Sequence, residues 1–142
     1  MESAYFDPVS VRKSAKRHGI NTDASFRFER GADPDLTEYA LKYASNMIVE
    51  LTGGVIKDEI YEVMSELPHA PNFLLKYDDI KKTIGQEISK EDISKILNGL
   101  EIIIEHSDED GLLIEIPRYR VDVTRPADVI EEILRLYGYN QV

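Results

Sequence analysis

The sequence contains no cysteine, which excludes a disulfide framework and any thiolate metal site. It has no apolar run of about 18 residues, the length that a membrane-spanning helix requires. The opening MESAYFDPVS lacks the basic-then-apolar layout of a secretory signal. Histidine is scarce, and His18, His69 and His106 are scattered without ligand spacing. No serine or threonine sits in a nucleophile elbow, and no glycine-rich loop fits a phosphate-binding fingerprint. Internal repeats and low-complexity tracts are also missing. These absences lead to the expectation of a cytoplasmic, globular protein.

Positive charge is in short supply. Lys and Arg number 17 against 27 Asp and Glu, for a formal net charge of −10. A free-standing nucleic-acid binder needs the opposite balance to neutralise phosphates. The distribution is uneven, however. Residues 12–30 carry Arg12, Lys13, Lys16, Arg17, Arg27 and Arg30 against only Asp23 and Glu29. Residues 108–132 hold eight carboxylates against Arg118, Arg120 and Arg125. One local basic face and one local acidic face fit this pattern, and so does ordinary solvated surface charge.

What the chain does contain is a series of helix and turn signals. Asp7 followed by Pro8 reads as an N-cap and a proline at the first helical position, where a missing N–H costs nothing. The helix it opens, residues 9–17, is closed by Gly19 after His18. Asp33 and Pro34 repeat the start signal. Leu36, Tyr39, Ala40, Tyr43, Ala44, Met47, Ile48 and Leu51 then follow the spacing of a helix with one apolar face, stopped at Gly53. Strands are expected at residues 3–6 and 55–64. So few elements bury little, and the stripe on the second helix needs a partner that this half barely supplies. The first segment therefore reads as the tail of a larger domain.

Residues 68–72, with Pro68 and Pro71, form the expected linker. Beyond it the pattern predicts a strand at 73–77 and a short helix capped by Asp78 and Asp79 and ending near Gly85. A second helix starts with the capping pair Ser89 and Asp92. Strands at 101–106 and 112–116 are joined by a polar turn, and a last helix covers 124–137. Helix, turn, helix and β-hairpin is the outline of a winged-helix-like fold, so the class is α+β.

Two constellations stand out. Asp128, Glu131 and Glu132 share one face of the last helix, with Asp122 just before it. Clustered carboxylate oxygens suit Mg²⁺, but acids near a helix start are favoured by the dipole alone. The second is residues 21–34, which combine hydroxyls, aromatics, arginines and a glycine without amphipathic period. A substrate-lining or phosphate-contacting loop has this composition. A structural loop stitched by Arg27, Glu29 and Arg30 has it too.

Two stretches are more specific. The run Glu2-Ser3-Ala4-Tyr5-Phe6-Asp7-Pro8, with Thr22-Asp23-Ala24-Ser25-Phe26-Arg27-Phe28-Glu29-Arg30-Gly31-Ala32-Asp33-Pro34, resembles the editing region of bacterial phenylalanyl-tRNA synthetase β subunits. The ending Pro117-Arg118-Tyr119-Arg120-Val121-Asp122, then Asp128 to Glu132 and Leu136-Tyr137-Gly138-Tyr139, is similar to the close of the winged-helix-like domain that follows in the same subunit. The order and spacing agree over essentially the whole chain.

The resemblance implies an internal piece of that subunit. Residues 1–67 would be the C-terminal part of a larger α/β editing domain, 68–72 the linker and 73–142 the winged-helix-like domain. The family works as an α2β2 assembly that ligates phenylalanine to tRNA(Phe) with ATP and Mg²⁺, at an active site in the α subunit. A separate β-subunit pocket hydrolyses mischarged Tyr-tRNA(Phe), since a hydrophobic pocket rejects one added hydroxyl only about a hundredfold. By this likeness Glu2, Thr22 and Ala24 belong to the editing pocket. Asp122, Asp128, Glu131 and Glu132 match positions for a Mg²⁺ shared with the α subunit. Arg125 and Pro126 depart from the family pattern, standing where many relatives carry further acids. The segment alone is then not catalytic and does not bind ATP, and its partners are the α subunit and tRNA(Phe), with no membrane. The alternative is a stand-alone winged-helix nucleic-acid-binding module, which the mixed charges of Lys90, Glu91, Asp92 and Lys95 make a poor DNA reader.

Overall fold

The computed structural model describes residues 1–63 and 66–142. They divide into two compact units, Met1–Pro68 and His69–Val142.

The first unit contains three helices, α1 (Pro8–His18), α2 (Asp23–Phe28) and α3 (Thr37–Thr52). Asp7 caps α1 by accepting the Ser10 N–H at 2.7 Å, and Gly19 ends it in the left-handed conformation at φ 65°. Both are the local signals legible in the sequence. Residues 21–34 are not an irregular loop, because Thr22 and Ser25 cap α2 reciprocally: the Ser25 N–H reaches the Thr22 hydroxyl at 3.1 Å, and the Thr22 N–H reaches the Ser25 hydroxyl at 2.9 Å. Asp33 does not cap α3. Its carboxylate accepts the Asp35 N–H at 2.9 Å, which makes a turn and moves the helix start to Thr37.

The strands expected at 3–6 and 55–64 do not form among the described residues, which stop at 63 on that side; Met64 lies outside them. A strand exists only through a ladder partner, and no described part of this unit supplies one. Burial is correspondingly thin. None of the three helices has a buried residue, and of all the described residues here only Pro34 is buried. The α3 stripe stays open, with Tyr39, Tyr43, Met47 and Ile48 exposed and Leu51 at 81%. An edge-to-face pair, Phe6 and Phe28 at 5.1 Å between ring centroids, holds the N-terminal segment to α2.

The second unit is α+β and has a proper core. A three-stranded antiparallel sheet in the order β1 (Asn72–Lys76), β3 (Gly111–Glu115), β2 (Ile103–Ser107) packs with α4 (Tyr77–Ile84), α5 (Lys90–Gly99) and α6 (Pro126–Tyr137). Leu75 pairs with Leu112, and Phe73 with Ile114, across the β1–β3 ladder. Leu75, Ile80, Ile93, Leu97, Ile102, Leu112, Ile114, Ile116, Val123, Val129 and Ile133 are all but completely buried. The register shifts between Ile104 and His106, so β2 bulges at Glu105.

Boundary differences have local causes. β2 begins at Ile103 rather than 101 because Glu101 takes a left-handed φ of 59°, a turn conformation that ends α5 instead of starting a strand. α6 begins at Pro126 rather than 124 because the Thr124 and Arg125 N–H groups are already taken by Asp128. α4 has no side-chain cap: Asp78 and Asp79 lie inside its first turn, where they favour the dipole.

Candidate functional site

In the first unit, Thr22 is fixed by the reciprocal cap described above, and Ala24 stands in the first turn of α2. Both are exposed, as is Glu2 on the extended N-terminal segment. Two cavities lie in this unit. One, about 510 Å³, runs along α1 and is lined by Phe6, Ser10, Val11, Ala15, His18, Ile20 and Phe28, among others. The other, about 350 Å³, lies between residues 3–5, the start of α3 and residues 60–63. Neither is lined by Glu2, Thr22 or Ala24. Beyond α2, Arg30 folds back over the Phe26 ring at 3.4 Å and bonds to Glu29 at 3.0 Å and to the Phe26 carbonyl at 2.9 Å. This arginine therefore acts as a clasp on the α2 C-terminus.

In the second unit, the acidic set is divided among arginines. Asp128 lies 2.8 Å from the Arg125 guanidinium and accepts the N–H groups of Thr124 and Arg125, both at 3.0 Å. The Arg125 bond and the Thr124 N–H together hold its pKa down at about 2. Glu132 is gripped from two sides, by Arg135 at 2.6 Å and by Arg120 at 3.0 Å. The Arg135 bond is the main reason that its pKa is lowered. Arg120 also donates to the Leu100 carbonyl at 3.2 Å, which ties the segment after β3 to the end of α5. Asp122 and Glu131 are exposed, and Asp122 lines a shallow cleft of about 490 Å³ with Gly99, Leu100, Glu101, Tyr119 and Arg120. The Tyr119 hydroxyl donates to Glu101 in that cleft.

Among the described residues, no group of three or more acids or histidines is placed to hold a metal ion. Two of the four carboxylates, Asp128 and Glu132, are engaged in ion pairs. The Arg125–Asp128 and Glu132–Arg135 pairs are legible as i,i+3 spacings on a helix, whereas the sequence does not reveal Arg120, twelve residues from Glu132. The exposed face of α5 is also largely committed. Lys90 caps the Tyr77 ring at 4.5 Å and donates to the Glu109 carbonyl at 2.9 Å, and Lys95 lies 3.9 Å from Asp92.

Comparison with known proteins matches each unit to a family. Residues 1–53 match the B3/4 domain, and residues 73–139 match the tRNA synthetase B5 domain. Over 142 residues, all of this chain, it is 51% identical to the phenylalanine–tRNA ligase β subunit of Bacteroides thetaiotaomicron. The chain belongs to the phenylalanine–tRNA ligase β-subunit family. The β subunit of Porphyromonas gingivalis is 48% identical over 143 residues, and that of Pseudomonas putida 35% over 144, each again spanning the whole chain. The chain covers only 17% of the Bacteroides and Porphyromonas subunits and 18% of the Pseudomonas one. Among the described residues, no helix is long and apolar enough to cross a membrane.

Proposed function

We propose that this chain works as the B3/4–B5 portion of a phenylalanine–tRNA ligase β subunit. With an α subunit, the whole enzyme ligates phenylalanine to tRNA(Phe) using ATP and Mg²⁺, and it hydrolyses mischarged Tyr-tRNA(Phe). The observation that carries this reading is the unbroken similarity across both units, at 51% identity to a named β subunit over every residue. In this reading residues 1–67 are the C-terminal part of the editing domain, 68–72 the linker and 73–142 a winged-helix-like domain. The open α3 face supports the first assignment, since a helix with no buried residue needs a covering partner. The order α4, α5, then the β2–β3 hairpin supports the last.

Within the editing domain, Glu2, Thr22 and Ala24 line the tyrosyl pocket. Ala24 supplies room beside a backbone held rigid by the Thr22–Ser25 cap, and Glu2 supplies a carboxylate for the tyrosyl moiety. No side chain in the segment is cast as nucleophile, so water attacks the ester. Asp122, Asp128, Glu131 and Glu132 are the residues of this chain that would hold a Mg²⁺ completed by the α subunit; Asp128 also pairs with Arg125, and Glu132 with Arg120 and Arg135. No catalytic step is assigned to a metal here. The acidic helix is also read as part of the scaffold that meets the α subunit.

The pocket is tested by Ala24→Trp in the complete enzyme, with phenylalanine charging and Tyr-tRNA(Phe) hydrolysis followed side by side. Loss of hydrolysis with charging retained is expected. Survival of both activities removes Ala24, and Glu2 with it, from the pocket.

A further inference from the structure

Helix α1 carries Arg12, Lys13, Lys16 and Arg17 and no carboxylate. At about 100° per residue, the four cations fall on one arc of roughly 140°. The opposite side of the helix presents Ser10, Val11, Ser14, Ala15 and His18 to the apolar groove. All four cations are exposed.

Several cations elsewhere find acids: Lys42 meets Glu38, Lys81 Glu87, Lys82 Asp78, Arg120 Glu132 and Arg125 Asp128. Arg27, Lys57, Lys76 and Lys90 find none among the described residues, but they are spread singly over the chain. Among the described residues, none of the four on α1 has an ion-pair partner. In a chain with 27 acids and 17 basic residues, α1 thus gathers four unpaired cations on a helix without an acid. Helix electrostatics explains only part of it. Lys16 and Arg17 sit in the last turn, where the dipole favours cations. Arg12 and Lys13 lie in mid-helix, and the i,i+4 pairs Arg12–Lys16 and Lys13–Arg17 repel each other.

We infer that this face of α1 is an RNA-contacting surface whose four cations engage a stretch of tRNA sugar-phosphate backbone. The inference rests on the proposed synthetase function, which brings tRNA to this unit. A membrane surface fits less well, because Val9 is the only large apolar side chain exposed on that arc and nothing there can insert into lipid. The contacts read phosphate rather than sequence, so they act on affinity and salt dependence.

The test uses the complete synthetase carrying this segment and measures equilibrium tRNA(Phe) binding across a salt series. One variant combines R12E, K13E, K16E and R17E. A control with the same charge change combines K42E, K81E, K82E and K95E. Four phosphate contacts contribute about −3 to the slope of log K against log salt. The α1 variant is expected to lose most of that contribution and to bind tRNA at least about tenfold more weakly at low salt, with the control close to wild type and phenylalanine activation by ATP retained in both. An unchanged slope and affinity in the α1 variant overturns the inference and leaves the synthetase function standing. An equal loss in the control overturns it as a net-charge effect. So does binding to anionic phospholipid vesicles that the α1 variant loses while it keeps tRNA. A wild-type assembly that binds no tRNA overturns the synthetase function itself.

Discussion

The Arg120 guanidinium reaches Glu132 at 3.0 Å and the Leu100 carbonyl at 3.2 Å, so one side chain joins the segment after β3, the end of α5 and the middle of α6. Only 15% of Arg120 and 17% of Glu132 remains exposed, which keeps salt from screening the pair as it does a surface bridge. Removing Arg120 leaves a carboxylate with one partner fewer and a carbonyl without its donor. Arg120→Ala is expected to destabilise the second unit by about 1.5–3 kcal/mol, the range for hydrogen bonds to charged groups. Urea denaturation of the chain measures this. A double-mutant cycle with Glu132→Gln should show coupling, and an additive result would mean that the two groups act independently.

Asp128 carries a pH dependence with a definite sign. Its folded pKa, about 2, lies below the ordinary aspartate value of 3.8. Its contribution is therefore fully present above about pH 4 and is lost as pH falls through the interval from 3.8 to about 2. Asp128→Asn should flatten the stability–pH curve in that window and leave the curve above pH 5 parallel to wild type. Chemical denaturation at a series of pH values reads this out. A variant that keeps the full wild-type acid slope would show that Asp128 is not the group responsible.

Gly111 opens β3 where β1 passes very close. A Cβ there would lie 2.5 Å from the Leu75 carbonyl oxygen and 3.0 Å from the Lys76 Cα, both backbone atoms that cannot step aside alone. Gly111→Ala should thus force the β1–β3 ladder apart and cost about 1–3 kcal/mol, typical of overpacking. A thermal melt showing no loss would mean that the strands have more freedom there than this geometry allows.

The elements that could be read in advance are those fixed by neighbours in sequence. Asp7 with Pro8, Gly19, Gly85 and the Ser89–Asp92 cap each act within a few residues, and the helices they delimit formed as the spacing predicts. The apolar period of α3 was equally plain, and so was its want of a partner. What failed was non-local or competed locally. Residues 3–6 and 55–63 have strand-like composition, but a ladder depends on a second strand that composition cannot supply. Asp33 resembles a cap, yet its carboxylate turns to the Asp35 N–H first. The acidic set at 122–132 was legible as charge, but not all of its partners were. Arg120 lies outside any helical spacing from Glu132, so its claim on that carboxylate emerges only from the folded second unit. Glu2, Thr22 and Ala24 were singled out only through family likeness. Nothing in the burial or bonding of Glu2 or Ala24 distinguishes them from surface.

The most direct test of the synthetase function is a replacement experiment. The matching 142 residues of the Bacteroides thetaiotaomicron β subunit, which align with this chain at 51% identity, are exchanged for it. The chimera is assembled with its α subunit, and phenylalanine charging and Tyr-tRNA(Phe) hydrolysis are measured. The account predicts an assembly that performs both reactions within about tenfold of the parent, roughly 1.4 kcal/mol in transition-state free energy. An assembly that forms but neither charges nor edits would contradict the assignment of this chain to the working β subunit.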